Sequence, residues 1–118
     1  MNISDLKGYG FNVSEAMELC VDDEDIYREV LEAALEEGKD KIPLMSSLIE
    51  SKDYERYIIE AHGLKNAARQ IGCDTLSDMA KDSELTGKSG EFESMASKHD
   101  ELMSEYAKIL DILAKFFE

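Results

Sequence analysis

The stretch from Tyr54 to Ile71, YERYIIEAHGLKNAARQI, decides how this chain folds. Within it Tyr57, Ala61, Leu64, Ala68 and Ile71 advance by 4, 3, 4 and 3 residues, the spacing of one apolar stripe along an amphipathic helix. Gly72 closes the run. The chain has a single Pro among its 118 residues and little alternation of β-branched residues, so the remaining segments also read as helices.

Downstream, Asp74 can cap a helix in which Leu76, Met79, Ala80 and Leu85 face inward and which Gly87 ends. Gly87-Lys88-Ser89-Gly90 is a turn. One long helix then carries Phe92, Met95, His99, Leu102, Tyr106, Ile109, Leu113 and Phe116 at 3–4 spacing. Upstream, Asp40 can cap a helix that bears Leu44, Met45, Leu48 and Ile49 and tolerates Pro43 in its first turn. Before it, Asp22 or Asp23 starts a helix with Ile26, Val30, Leu31, Ala34 and Leu35 that stops at Gly38. Asn12 and Glu15 have capping-box spacing and begin a short helix to about Cys20. The expected fold is all-α: an antiparallel up-down four-helix bundle made by the last four helices, with the first two covering one end or side. Residues 12–118 form that domain and residues 1–11, with Gly8 and Gly10, a loose arm. Gly8-Tyr9-Gly10 lacks the preceding strand and third glycine of a phosphate loop.

Twenty-seven acidic and 13 basic residues leave a formal charge of −14. So acidic a surface repels phosphate backbones, which argues against nonspecific nucleic-acid binding. No apolar run approaches the ~20 residues of a membrane span, and the start lacks a signal peptide's basic and apolar regions. Cys20 and Cys73 lack C-x-x-C spacing and read as small core or near-surface residues, with a long-range disulfide as the alternative. A cytoplasmic, monomeric domain is expected.

Opposite the apolar stripe, His62, Lys65, Asn66 and Arg69 stand at i, i+3, i+4 and i+7 and share one polar face. Ile58 and Ile59 lie one turn before, with Ile58 projecting beside the imidazole. Two cations flanking a histidine on an acidic protein suit an imidazole that must carry an anion, not one that binds a metal. A neutral imidazole nitrogen is nucleophilic near physiological pH. Lys65 is close enough to meet a phosphoryl group there, and Arg69, two turns on, can attract an acidic partner. His99 falls on an apolar stripe and reads as a partly buried, hydrogen-bonded residue. No metal-ligand spacing occurs: neither H-x-x-x-H nor Glu-x-x-His is present.

Ala61-His62-Gly63-Leu64-Lys65-Asn66-Ala67-Ala68-Arg69-Gln70-Ile71-Gly72 resembles the signature of histidine phosphotransfer (HPt) domains, roughly A-H-x-L-K-G-[SA]-A-x-x-[IL]-G. The resemblance extends from about Asp23 to about Leu113 in helix order and length. It implies a carrier in a multistep two-component phosphorelay, without catalytic turnover of its own: His62 accepts a phosphoryl group from a receiver-domain aspartate and passes it to another receiver. It implies that Lys65 steadies the phosphoryl group and that Glu84, on the next helix, hydrogen-bonds Nδ1–H and leaves Nε2 as nucleophile. Partners are receiver domains or a hybrid histidine kinase, and Mg²⁺ comes with the receiver, since the chain offers no cofactor site of its own. Ile58, Ile59, Asn66 and Arg69 are the candidate partner-binding residues. Asn66 departs from the family glycine and adds bulk beside the reactive ring; Gly63 serves backbone approach or is merely tolerated. Two other readings stay open: an adaptor that binds receivers without transfer, and the detached phosphotransfer domain of a chemotaxis-type kinase. A start at Met1 and an end just after an amphipathic helix suggest a free-standing protein.

Overall fold

Asp53 accepts a hydrogen bond from the Arg56 amide and starts the helix Tyr54–Gln70 in the computed structural model, which describes residues 1–118. Every regular element is helical: α1 (Val13–Leu19), α2 (Glu24–Glu50), α3 (Tyr54–Gln70), α4 (Asp74–Lys88), α5 (Phe92–Ser97) and α6 (His99–Phe116), preceded by a 3₁₀ helix over Ile3–Tyr9. Connections of three residues, 51–53 and 71–73, make α2, α3 and α4 antiparallel neighbours. Helix α6 packs on α2 and closes a four-helix bundle in which α3 and α4 share the largest contact. No helix is long and apolar enough to cross a membrane.

The apolar stripe of α3 is buried throughout, from Tyr57 to Ile71. It meets Tyr27, Leu31, Met45 and Leu48 of α2, Leu76 and Ala80 of α4, and Leu102, Ile109 and Leu113 of α6 in one core. The Tyr27 hydroxyl donates to the Ile71 carbonyl at 2.9 Å, so the polar end of a fully buried ring is satisfied. Cys20 and Cys73 are both free and buried, and burial pushes both thiols up.

Five expectations are corrected. The helices expected on either side of Gly38 are one continuous α2. Leu110 of α6 fills the space a Gly38 side chain would need, its Cδ2 only 2.5 Å from where a Cβ would stand. Gly38 therefore permits close helix packing and does not end the helix. Pro43 lies inside α2, beyond its first turn, on the exposed side of the helix.

Residues 1–11 are not a loose arm. Asn2 and Asp5 form a capping box for the 3₁₀ helix, and Ile3, Leu6 and Phe11 are buried in the core. The expected long last helix is broken at Lys98, which ends α5 and begins α6. Leu85, expected to face inward, is 54% exposed; on α4 the buried positions instead include Ser77, Ser83 and Glu84.

Candidate functional site

Burial of Ala61 and Leu64 fixes the rotation of α3 and turns His62 outward, with its side chain 53% exposed. The neighbouring helix is held on both sides of that point. One turn toward the C-terminus of α3, the Ser77 hydroxyl donates to the Lys65 carbonyl at 2.9 Å. One turn the other way, Ile58 packs onto the bare backbone of Gly87. Between these two contacts Glu84 projects from α4 toward α3, 2% exposed.

Glu84 is saturated with donors. Its Oε2 lies 2.6 Å from His62 Nδ1 and 2.9 Å from Lys88 Nζ, and its Oε1 accepts from Lys65 Nζ at 2.8 Å. Burial by itself would push the carboxyl up, but the hydrogen bonds from Lys65, Lys88 and His62 outweigh it and bring it down to about 2. A carboxylate has no proton to give, so Nδ1 must be the donor in the 2.6 Å contact. The neutral ring then carries its lone pair on Nε2, on the exposed side. Lys65 Nζ also stands 3.3 Å from Nδ1, donor against donor, so its hydrogen bond is the one to Glu84.

Asn66, one turn after His62, brings its Nδ2 to 3.4 Å from Nε2. With the lone pair on Nε2, the amide N–H side is the one that faces it. Ile58 and Ile59 line a shallow depression of about 270 Å³ with His62, Glu84 and Lys88. On the other flank, Lys65, Asn66 and Arg69 face Ser77 and Lys81 across an open polar groove of about 530 Å³.

The structure thus gathers His62, Lys65, Glu84, Asn66, Ile58 and Ile59 around one imidazole. Arg69 stands apart: it lies in the polar groove and its Nε is 3.8 Å from Glu15 of α1. Lys88 is the residue that sequence reasoning missed, although Glu84 and Lys88 stand at i and i+4, a spacing that favours an ion pair on a helix. Gly63 stands against Lys41 of α2. A side chain there would meet Lys41 Nζ at 3.0 Å, and Lys41, with only 7% of its side chain exposed, pairs with Glu37 and Glu60 at 3.6 Å each. That glycine makes room for a buried ammonium.

His99 belongs to the core and not to this site. Its Nδ1 is 2.8 Å from the Tyr57 hydroxyl and its Nε2 3.1 Å from the Ser46 hydroxyl, and burial lowers its pKa. No group of three or more His, Cys, Asp or Glu side chains is arranged to hold a metal ion.

No family model matches the chain, and no solved structure does. The chain is similar to the phosphorelay intermediate protein rdeA of Dictyostelium discoideum, with 25% identity over 88 residues. That stretch is 75% of this chain and 35% of the relative, so the chain spans about a third of the length of the protein it resembles.

Proposed function

We propose that this chain is a histidine phosphotransfer protein of a two-component phosphorelay, a carrier that accepts a phosphoryl group on Nε2 of His62 and hands it on. The observation that carries the reading is the 2.6 Å hydrogen bond from Nδ1 to a buried carboxylate held by two ammonium groups, which leaves the nucleophilic nitrogen facing outward. Similarity to a phosphorelay intermediate protein supports a phosphorelay role in general.

In the forward step the Nε2 lone pair attacks the phosphorus of a receiver's aspartyl phosphate. The Nε2–P bond forms, the P–O bond breaks, and the aspartate leaves as carboxylate. The proton stays on Nδ1 throughout, so the loaded ring is cationic and faces the Glu84 carboxylate. In the return step an acceptor aspartate attacks the phosphorus, and the bond pair goes back to Nε2 as a neutral imidazole leaves. Glu84 thus favours the charged intermediate electrostatically, without taking the proton. Lys65 spends one of its three N–H donors on Glu84 and keeps two for phosphoryl oxygens.

The apolar depression beside His62 suits the apolar part of a docking face, and the receiver brings the Mg²⁺ that phosphoryl transfer requires. The cytoplasm is the compartment this role implies.

The test is incubation with a phosphorylated receiver and Mg²⁺, reading acid-labile, alkali-stable label. Wild type takes label and His62→Gln does not. Label that survives His62→Gln overturns the site. Absence of label on wild type from several competent receivers overturns transfer and leaves a receiver-binding adaptor. Label obtained from a kinase's ATP-binding domain with no receiver present would reassign the chain to a kinase's own phosphotransfer domain.

A further inference from the structure

Both ring nitrogens of His62 are engaged, and only one of these contacts is compatible with chemistry at the ring. Nδ1 is committed to Glu84 at 2.6 Å, and that bond can persist through transfer. Asn66 Nδ2, 3.4 Å from Nε2, covers the lone pair that must attack phosphorus. We propose that Asn66 is a latch on His62: its amide caps Nε2 in the empty protein and, after loading, donates to the phosphoryl oxygens that take the lone pair's place.

This proposal rests on the carrier reading and adds to it that the chain is slow to load and slow to lose its cargo. The motif resembled by residues 61–72 has glycine where Asn66 stands, so the latch is a feature of this chain. The side chain is exposed and borders the open polar groove toward Arg69 and Lys81, which gives it space to swing aside when phosphorus approaches. A phosphoryl group on Nε2 extends outward from the ring, on the side where the amide already sits. An amide is neutral, so it adds no repulsion toward the anion, and its two N–H groups can donate to phosphoryl oxygens. Lys65 stabilises the same anion by charge, but it is tied to Glu84 and approaches from the Nδ1 side. Asn66 is therefore a positioning residue for the phosphoryl group, distinct from Lys65 in the side of the ring it serves.

Phosphoramidate is a suitable probe, because it tests the ring without a protein partner. Nε2 attacks its phosphorus, the P–N bond of the zwitterion breaks, and ammonia leaves. In the decay reaction water attacks phosphorus, orthophosphate forms, and the ring leaves as neutral imidazole. Loading rate and phosphohistidine half-life are measured for wild type, Asn66→Ala and Asn66→Leu, with ¹⁵N shifts of the His62 ring read in each empty protein.

Asn66→Ala is expected to load about two- to tenfold faster and to lose phosphate faster by a similar factor, the range a single neutral hydrogen bond allows. Its Nε2 resonance moves while Nδ1 does not. Asn66→Leu keeps bulk without donors, so it loads slowly but decays as fast as the Ala variant. Equal loading and decay in wild type and Asn66→Ala overturn the latch and leave the carrier intact. A Leu variant that matches wild type in both rates assigns the effect to bulk and overturns the hydrogen bond. If neither wild type nor Asn66→Ala takes label, the carrier reading falls and the latch with it.

Discussion

A methyl group on Gly87 of α4 would meet Cγ1 of Ile58 on α3 at 2.5 Å, one turn from the hydrogen bond between Glu84 and His62. The two helices approach this closely because position 87 has no side chain, and the same would-be methyl is 2.6 Å from Met95 Sδ. Glu84 reaches His62 across this narrow gap.

Gly87→Ala gains up to ~1 kcal/mol of helix propensity but overpacks a contact whose usual cost is ~1–3 kcal/mol. The variant is expected to be less stable by about 1–2 kcal/mol and to take label more slowly. Urea unfolding monitored by circular dichroism checks the first point. A Gly87→Ala protein as stable as wild type would mean that Ile58 moves aside freely.

Removing the carboxylate tests the ring's orientation. Glu84→Ala frees Nδ1 to lose its fixed proton, and labelling of His62 should fall by about 10- to 100-fold, the scale seen when an imidazole at a metal loses its orienting partner. Glu84→Gln keeps an acceptor oxygen and should retain more activity than Glu84→Ala. Equal rates in the two variants would show that the acceptor does not orient the ring.

The two ammonium groups should not contribute equally. Lys65 is 24% exposed and Lys88 59%, so solvent screens the Lys88 pair more. Lys88→Gln is expected to cost less than ~1 kcal/mol of stability, and Lys65→Gln more, because Glu84 is then left buried with one fewer donor. Phosphotransfer should slow in both variants, with the larger loss at Lys65. Denaturant midpoints alongside labelling rates decide the order.

Two buried groups contribute to the acid side of the stability curve. Burial lowers the pKa of His99 below its ordinary 6.5, partly offset by Asp100. The unfolded chain therefore binds that proton more readily, so this contribution is full above about 6.5 and lost as pH falls through the range below it. Glu84, taken from 4.5 to about 2, contributes fully above 4.5 and loses its contribution between 4.5 and about 2. Unfolding free energy should thus decline in two stages on acidification. In His99→Gln, which keeps a hydrogen-bonding side chain, the upper stage should vanish and the lower one remain. A wild-type curve flat from pH 7 to 5 would count against the His99 assignment.

The core of α3 was legible because Tyr57, Ala61, Leu64, Ala68 and Ile71 all follow one helical stripe and all are buried. Gly38 was not, because a glycine that ends a helix and one that admits a neighbouring side chain look alike until Leu110 is seen against it. The break at Lys98 was hidden for a related reason: apolar spacing continues in phase from Met95 to Leu102 across it, and both residues are buried. On α4 the rule that apolar side chains face inward misled, since Leu85 is exposed while Ser77, Ser83 and Glu84 are buried. Glu84 is stable there because Lys65, Lys88 and His62 supply its hydrogen bonds, and a partner set drawn from two helices cannot be read along one.

The corner between α3 and α4 has a consequence for the order of folding. The Asn12 amide donates to the Gly72 carbonyl at 2.7 Å, and a side chain on Gly72, whose φ is 87°, would strike the Asn12 carbonyl at 2.6 Å. The start of α1 therefore docks on a turn that leaves the ribosome some sixty residues after it. Phe11, which lines a cleft with Cys73, Asp74 and Leu76, is likewise covered by residues some sixty positions further along the chain. Docking of α1 on this corner is thus a long-range contact laid over a local one.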